Sequence, residues 1–287
     1  MNSNLIEDLK YKIFRSGNPV FFYIGINAIV FVVAALIGVV VFLSGNNNAG
    51  VSALINEYFA FPSSLSALPY RFYTILTYQF FHEGFFHFLF NMLWLYWMGE
   101  IFMNFLKSRQ FHFVYLGGGV LGALFFLAAF HIFPVFANNA DGAQLIGASA
   151  AVMAIVVATA TLVPDYTIRL LFLGDVKLKY LALGYIVLSL IEIASANPGG
   201  SFAHLGGAFF GFFYIKMLKS GHDWSSMFKS RPNLKVVKND SYKRSSAKGS
   251  TVVAQQEIDA ILDKISKNGY DKLSKAEKET LFKASKH

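Results

Sequence analysis

The chain is organised around IGASAAVMA, Ile146–Ala154, in which one hydroxyl lies among small residues at the start of an apolar run. A lone serine in an apolar helix is usually inert, because its hydroxyl can donate to a backbone carbonyl one turn earlier. Whether Ser149 does more depends on the polar groups that the rest of the chain brings to the same depth. The topology of the chain therefore decides how this serine is interpreted.

Composition places the chain among membrane proteins. Of its 287 residues, 55% are hydrophobic and only 15% are charged, which is too little polar surface for a soluble domain of this size. There is no cysteine, which excludes disulfides, thiolate metal sites and a cysteine nucleophile. The net charge of +8 is concentrated from Lys219 onward, where 15 Lys and Arg stand against 8 Asp and Glu. It is a property of the tail and does not indicate nucleic-acid binding.

Six apolar runs have about the length needed to cross a hydrocarbon layer of ~30 Å at 1.5 Å per residue. The first lacks the cleavage site of a signal peptide and is expected to stay in the mature protein. We therefore predict an all-α membrane protein with six transmembrane helices. The runs are 19–43, 81–99, 111–133, 146–163, 178–196 and 203–218.

Lys and Arg mark the cytoplasmic ends of the spans. They lie before the first span, between the second and third, between the fourth and fifth, and after the sixth, whereas Arg71 stands alone on the other side. Both termini are thus predicted to be cytoplasmic, and three spans begin at the outer face. Ionisable residues that converge inside a membrane are functional candidates. Those outer ends carry His82, His87 and Asn91 in the second span, Ser149 in the fourth and His204 in the sixth.

Acyl transfer is the chemistry that these residue types permit. Ser149 is a weak nucleophile unless an adjacent base takes its proton, and His204 is the imidazole that could approach it from a neighbouring helix. The developing oxyanion needs hydrogen-bond donors. His87 and Asn91, four apart on one helical face, could supply them together with the backbone N–H groups of Ala148 and Ser149.

Small residues would let the fourth and sixth helices approach each other. Gly207 and Gly211 form a Gly-x-x-x-Gly pair below His204, and Gly147 is among the small residues beside Ser149. Such an approach would permit a hydroxyl–imidazole hydrogen bond. Taken alone, these glycines would indicate only ordinary helix packing.

A zinc site and a catalytic triad are weaker interpretations. His82 and His87 are five residues apart, whereas a zincin motif has histidines at i and i+4, so we predict no metal and no cofactor. On a regular helix His82 faces away from His87, and it is expected to order the start of the helix or the loop above. Asp141 and Glu192 are each better interpreted as interfacial carboxylates than as a third catalytic member. The site is predicted to be a dyad.

Two outer connections are expected to lie close to the bilayer. Residues 44–80 contain aromatic amphipathic stretches that favour the membrane interface. Residues 134–145 are expected to dip inward beside Ser149, where irregular backbone needs protein or a water-filled cavity to satisfy it.

The motifs resemble those of the rhomboid intramembrane serine proteases over about residues 60–218, including Arg71 before the second span. The resemblance implies a six-helix rhomboid bundle with Ser149 as nucleophile, His204 as general base, and His87 with Asn91 in the oxyanion hole. It also implies cleavage of single-span membrane proteins near their outer ends, with water entering from the outer side. The motifs are His82…His87-Phe88-Leu89-Phe90-Asn91, then Gly147-Ala148-Ser149, then Ala203-His204-Leu205-Gly206-Gly207 with Gly211.

The sequence departs from the family in the connection after the second span. The family usually has a glutamate shortly after Gly99 and a glycine before the third span, where this chain has Met103 and Lys107. Glu100 is nearby in a different register. The cytoplasmic loop is expected to pack differently, with no catalytic position lost.

Two other functions are alternatives to that of an intramembrane serine endopeptidase. A catalytically silent rhomboid-like protein would bind or escort membrane clients, but such proteins commonly lack the dyad that this chain keeps. A small transporter would need charged residues along a path through the midplane, and these spans carry almost none. Substrate identity and oligomeric state are not indicated by the sequence.

The chain is predicted to divide into a cytoplasmic N-terminal segment (1–18), a six-span protease domain (19–218), a basic flexible linker (219–250) and a helical hairpin (251–287). The linker is expected to lie along anionic lipid. The hairpin is expected to dock a partner, another protomer or the cytoplasmic loops, unless the tail is dispensable. We expect a multi-pass protein of the bacterial inner membrane. The hairpin contacts are predicted at Ile258, Ile261, Leu262, Ile265, Leu273, Leu281 and Phe282.

Overall fold

The computed structural model divides the chain into two compact units, Met1–Ser230 and Arg231–His287. Most of the predicted linker, from residue 229 to 250, lies outside the described residues. The structure describes residues 5–45, 49–170, 174–194, 197–228 and 255–285.

Helices make up most of the described chain, with two short antiparallel strand pairs between them. Short 3₁₀-helices lie at Tyr78–Phe80, Pro134–Asn139, Trp224–Phe228 and Tyr270–Lys272, and a π-helical turn lies at Tyr11–Arg15. The α-helices are α1 (Leu5–Lys10), α2 (Pro19–Leu43), α3 (Ala49–Tyr58), α4 (Thr74–Thr77), α5 (Phe85–Phe105), α6 (Ser108–Ile132), α7 (Ser149–Leu162), α8 (Leu178–Glu192), α9 (Pro198–Lys219), α10 (Gln255–Asn268) and α11 (Lys275–Ala284). The strands are β1 (Phe61–Pro62), β2 (Gln144–Leu145), β3 (Thr167–Leu170) and β4 (Gly174–Lys177).

Each of the six apolar runs corresponds to a helix, but α6 and α7 begin three residues from the predicted start, and α5 and α9 begin four and five residues from it. α5 begins only at Phe85, because Gly84 has a φ of 83° that breaks the helical backbone before it. α9 begins at Pro198 rather than at residue 203. The Asn197 side chain accepts a hydrogen bond from the Gly200 N–H, and proline suits the first position of a helix.

The apolar surface of α2 is largely exposed. Within the described chain, α2 and α6 are long and apolar enough to cross a membrane, and the apolar α7 is shorter. Only 6% of the most apolar stretch of α2 is buried by the protein, whereas the core helix of a soluble protein would be mostly covered. Exposed apolar surface of this extent is typical of a helix that faces lipid.

α7 forms the core of the first unit. Every residue from Ala150 to Ala160 is buried, as expected of a helix that is apolar on all sides. α6 and α9 pack against it most extensively, and α5 and α8 also contact it. Because α7 is enclosed in this way, the position of Ser149 at its first turn is fixed by packing on several sides.

Glycines let α6 and α9 lie directly against α7. A Cβ at Gly207 would overlap the carbonyl oxygen of Ala150, and a Cβ at Gly211 would overlap that of Ala154. A Cβ at Gly122 of α6 would lie 2.6 Å from the Ala150 Cβ of α7 and 2.9 Å from the Ala203 carbonyl oxygen of α9. We call Gly207 and Gly211 the α9 glycine seam. It places two helix backbones in direct contact, the use that small residues have between membrane helices.

The connection from α6 to α7 is held by the segment that precedes α5. β1 pairs antiparallel with β2, and the N–H and hydroxyl of Ser63 both donate to the Ala143 carbonyl at 2.9 Å. The Gly147 N–H donates to the Tyr78 carbonyl at 3.0 Å. These bonds satisfy the irregular backbone and bring the end of the connection beside Ser149.

The connection from α7 to α8 is an antiparallel hairpin of β3 and β4. At its base the Asp165 carboxylate accepts hydrogen bonds from Lys179 at 2.8 Å and from Lys177 at 3.1 Å. These bonds, with Lys179 contributing most, hold the pKa of the Asp165 carboxyl below its ordinary value. All three side chains are exposed, so the pairs contribute little to stability.

A polar cluster fixes the chain where it leaves α9. The Asp223 carboxylate accepts hydrogen bonds from Arg109 at 2.8 Å, from the Tyr214 hydroxyl at 3.0 Å, from the Ser225 hydroxyl at 2.6 Å and from Gln110 at 3.3 Å. Burial raises the pKa of Asp223, but the hydrogen bonds outweigh it and hold the pKa below its ordinary value. We call this group the Asp223 cluster. It joins the start of α6 to the segment that follows α9.

Asp223→Ala is expected to destabilise the protein by about 2 kcal/mol, because several partly buried donors lose a charged acceptor at once. Thermal unfolding of the purified protein in detergent measures the change. Asp165→Ala removes an exposed carboxylate that also has basic partners, and should destabilise the protein much less than Asp223→Ala does. Equal losses of stability in the two variants would contradict a structural role specific to the Asp223 cluster.

In the second unit α10 packs against α11, and Ile261 and Leu273 are buried. A capping box begins α11: the Ser274 hydroxyl accepts from the Glu277 N–H, and the Glu277 carboxylate accepts from the Ser274 N–H at 2.7 Å. Hydrogen bonds from Lys264, at 2.8 Å, and from Ser274 lower the pKa of Glu277 to about 2. The unit is a helical hairpin closed by polar contacts around a very small core.

Candidate active site

Ser149 is the first residue of α7, and the two residues before it set its position. Ala148 is the N-cap and is fully buried. Gly147 has a φ of 127°, a conformation that L side chains rarely adopt. A Cβ at Gly147 would also lie 2.7 Å from Cε1 of His87. Both the backbone and the neighbouring imidazole therefore require glycine here.

The first turn of α7 supplies hydrogen-bond donors. The first backbone N–H groups of a helix have no acceptor within that helix, and the helix dipole favours negative charge at this end. Ser149 thus lies beside groups that can stabilise an oxyanion.

His204 lies in the second turn of α9, and its imidazole rests against α8. Its Nδ1 is 3.2 Å from the Ser189 hydroxyl oxygen. The Tyr185 ring meets it edge to face, with 5.8 Å between ring centroids. Two contacts from α8 therefore orient the imidazole. The contact with Ser189 is made by Nδ1.

His87 and Asn91 lie one turn apart on α5. The Asn91 side-chain amide donates to the His87 carbonyl at 2.8 Å. This bond fixes the orientation of a buried side chain and leaves its second amide hydrogen and its oxygen for another partner.

His82 does not turn away from His87, so the expectation based on a regular helix is wrong. α5 begins at Phe85, and the backbone from residue 82 to 84 is not helical. The two imidazole centroids are 5.3 Å apart, edge to face. Among the described residues, neither ring nitrogen of His82 has a hydrogen-bond partner. His82 thus lies at the start of α5, where its ring supports that of His87.

A single cavity of about 1020 Å³ contains the candidate residues. Its walls come from α5, α8, α9 and the segment before α7, and one lining residue belongs to β4. The sequence-predicted residues that line it are Ser149, His204, His87 and Asn91.

Three other residues singled out in the sequence do not line this cavity. Arg71 lies in the turn before α4, where its N–H donates to the Ala67 carbonyl at 3.0 Å and its carbonyl accepts from the Thr74 N–H at 2.9 Å. Asp141 lies in an exposed turn before β2, and Glu192 ends α8. Arg71 therefore belongs to the loop that supports the site rather than to its wall.

Polarity changes along the cavity. Polar side chains collect where α5, α7 and α9 begin, whereas apolar and aromatic side chains line the rest. The Trp94 and Tyr185 rings lie 5.8 Å apart, which joins α5 to α8 across the cavity. Phe90 and Leu188 line it and are still 58% and 59% exposed, so the cavity is open to the surroundings of these two helices. The polar lining also includes Glu83, Gln144 and Asn197.

Sequence reasoning missed Ser189 and Tyr185, which contact His204 from α8. A signal was present, because they are polar residues four apart on one face of an otherwise apolar span. What the sequence could not provide was the face of α8 that meets α9.

A family model for the rhomboid domain matches residues 69–221, just over half of the chain. The chain belongs to the rhomboid family. The matched region runs from α4 to α9 and includes every helix that lines the cavity. As a rhomboid the protein is a membrane protein, in agreement with the exposed apolar face of α2.

A second model, described as a family of unknown function (DUF6576), matches residues 251–287, and no curated protein matches the chain.

Proposed function

We propose that this rhomboid protein is an intramembrane serine endopeptidase that hydrolyses peptide bonds in or near the transmembrane segments of other membrane proteins. The observation that carries the proposal is the cavity shared by Ser149, His204, His87 and Asn91. A hydroxyl, an imidazole and hydrogen-bond donors around one space are what acyl transfer requires. The first turn of α7 adds backbone N–H groups to the donors.

In the proposed mechanism the Ser149 Oγ attacks the scissile carbonyl carbon while His204 takes the hydroxyl proton. The carbonyl oxygen becomes an oxyanion that accepts hydrogen bonds from His87, Asn91 and the backbone at Ala148 and Ser149. Collapse of the tetrahedral intermediate breaks the C–N bond, and His204 returns the proton to the leaving amine. A water molecule, deprotonated by His204, then hydrolyses the acyl-enzyme and regenerates the Ser149 hydroxyl.

The lining of the cavity supports a transmembrane segment as substrate. Its polar end can hold a peptide unwound for attack, and its apolar walls can contact a membrane-embedded chain without leaving polar groups unpaired. The exposed lining residues of α5 and α8 provide a lateral opening toward lipid. A soluble peptide would gain less binding free energy from such apolar walls.

The proposal includes a topology that the charge distribution supports. Six spans with cytoplasmic termini place the Lys- and Arg-rich segments on the side that carries anionic lipid. The cavity end that holds Ser149 then faces outward, and the basic tail lies on the opposite side of a bacterial inner membrane. The tail therefore acts on stability, abundance or substrate recruitment rather than on the chemistry.

A fluorophosphonate probe applied to intact membranes tests the proposed function. The wild-type protein is expected to be labelled and to cleave a single-span reporter protein in proteoliposomes, whereas Ser149→Ala does neither. A catalytically silent, client-binding rhomboid protein would bind the reporter without labelling or cleavage. Labelling that persists in Ser149→Ala would remove this serine as the nucleophile.

His87→Ala and Asn91→Ala are each expected to lower kcat by roughly ten- to a thousandfold, because each removes a donor to the oxyanion. Folding should change little, since both side chains face the cavity. Kinetics with the reporter and thermal unfolding in detergent measure the two effects separately. Large destabilisation with unchanged turnover per folded molecule would instead assign the pair to helix packing.

A further inference from the structure

We propose that Ser189 is a positioning residue for His204: its hydroxyl oxygen accepts a hydrogen bond from Nδ1–H and so keeps Nε2 free to take the Ser149 proton. The inference rests on the proposed function, because it assigns a third member to that catalytic unit. It replaces the predicted dyad with a chain of three side chains from α7, α9 and α8.

The geometry of Ser189 fits this role. Its hydroxyl oxygen lies 3.2 Å from Nδ1 of His204, and Ser189 is only 1% exposed, so water does not compete for the imidazole on this side. The Tyr185 ring, one turn earlier on α8, meets the same imidazole edge to face. A hydrogen bond and a ring contact from one helix thus restrict rotation of the His204 side chain.

The direction of the hydrogen bond decides the tautomer. A neutral imidazole has one N–H donor and one acceptor nitrogen. If Ser189 donated to Nδ1, the ring proton would lie on Nε2 and His204 could not act as a base toward Ser149. The Ser189 hydroxyl oxygen has two lone pairs and its O–H can rotate away, so the oxygen can instead accept from Nδ1–H. Nε2 then carries the free lone pair.

A hydroxyl suits this depth better than a carboxylate would. The other titratable groups that line the cavity with His204 are Glu83, His87, Tyr180 and Tyr185. A buried carboxylate behind His204 would require desolvation of its charge. The Ser189 oxygen carries no charge. The hydrogen bond that it accepts from the neutral ring becomes stronger when the ring is protonated to an imidazolium.

Ser189→Ala in the full-length protein is expected to lower kcat by about ten- to a hundredfold, the usual effect of removing a partner that orients a functional histidine. KM should stay nearly constant, because Ser189 is not among the cavity-lining residues. Ser189→Thr keeps the hydroxyl and should restore most of the loss. Ser201→Ala is the matched control: Ser201 is also 1% exposed, but its hydroxyl donates to the Asn197 carbonyl, and kcat should change less than about twofold.

A spectroscopic readout tests the positioning directly, whether or not a reporter is cleaved. The protein has only seven histidines, so ¹⁵N-histidine spectra in detergent can be assigned to His204 by comparison with His204→Gln. We expect the Nδ1–H tautomer in the wild type and in Ser189→Thr, and a shift toward the Nε2–H tautomer in Ser189→Ala.

Each result bears on the proposal in a defined way. Unchanged kcat in Ser189→Ala, no recovery in Ser189→Thr, or an Nε2–H tautomer in the wild type would overturn the role of Ser189. A wild-type protein that cleaves nothing, yet shows the expected tautomers, would refute the proposed protease function and leave the positioning contact established.

Discussion

Alanine at Ser149, at His204 or at both positions is expected to lower kcat for reporter cleavage by about the same factor, ten-thousandfold or more. In the proposed mechanism Ser149 and His204 act in one step, so the loss of either would remove the whole covalent pathway. The residual rate would come from oxyanion stabilisation and binding alone. Neither single substitution should reduce substrate binding much, since neither removes the apolar walls of the cavity.

The measurement is single-turnover cleavage in proteoliposomes for the two single variants and the double variant. His222→Ala is a matched histidine control, because His222 lies in the exposed segment after α9 and outside the cavity lining. If the double variant lost the product of the two single-variant factors in rate, Ser149 and His204 would act independently. A fully active His204→Ala would require another base.

The helices could be predicted because the length and apolarity of a span are local properties. The run around Ser149 contains α7, and residues near the starts of α5, α7 and α9 line one cavity. Their convergence was expected from the predicted topology, in which alternate spans that start at one face bring their first turns to one depth. The match to the rhomboid domain confirms the family that these motifs resemble.

The features that were predicted wrongly, or not predicted at all, depend on contacts between segments. The start of α5 is set by the φ of Gly84, and this non-helical backbone turns His82 toward His87. Ser189 meets His204 only because of how α8 rotates against α9. The Asp223 cluster joins residues more than a hundred positions apart. Hydrophobic periodicity carries no information about such pairs, so a single sequence cannot supply them.

Gly207→Ala and Gly211→Ala are each expected to destabilise the protein by about 3 kcal/mol or more, at the upper end of overpacking effects. The added methyl group would meet a backbone carbonyl of α7 rather than a flexible side chain, so local repacking cannot relieve the overlap. α9 must move away from α7, which separates His204 from Ser149. We therefore expect cleavage by the folded fraction to fall as well, unlike the effect of a substitution that only lowers stability.

Thermal unfolding in detergent, combined with turnover per folded molecule, checks this expectation. Gly38→Ala is the control, because Gly38 also lies within a helix and outside the cavity, and a Cβ there would have no heavy atom within 4 Å. Alanine favours a helix over glycine by up to about 1 kcal/mol, so this variant should be as stable as the wild type or more so. If Gly207→Ala behaved like Gly38→Ala, the two backbones would not be in contact, and the α9 glycine seam could not be what places α9, with His204, against α7.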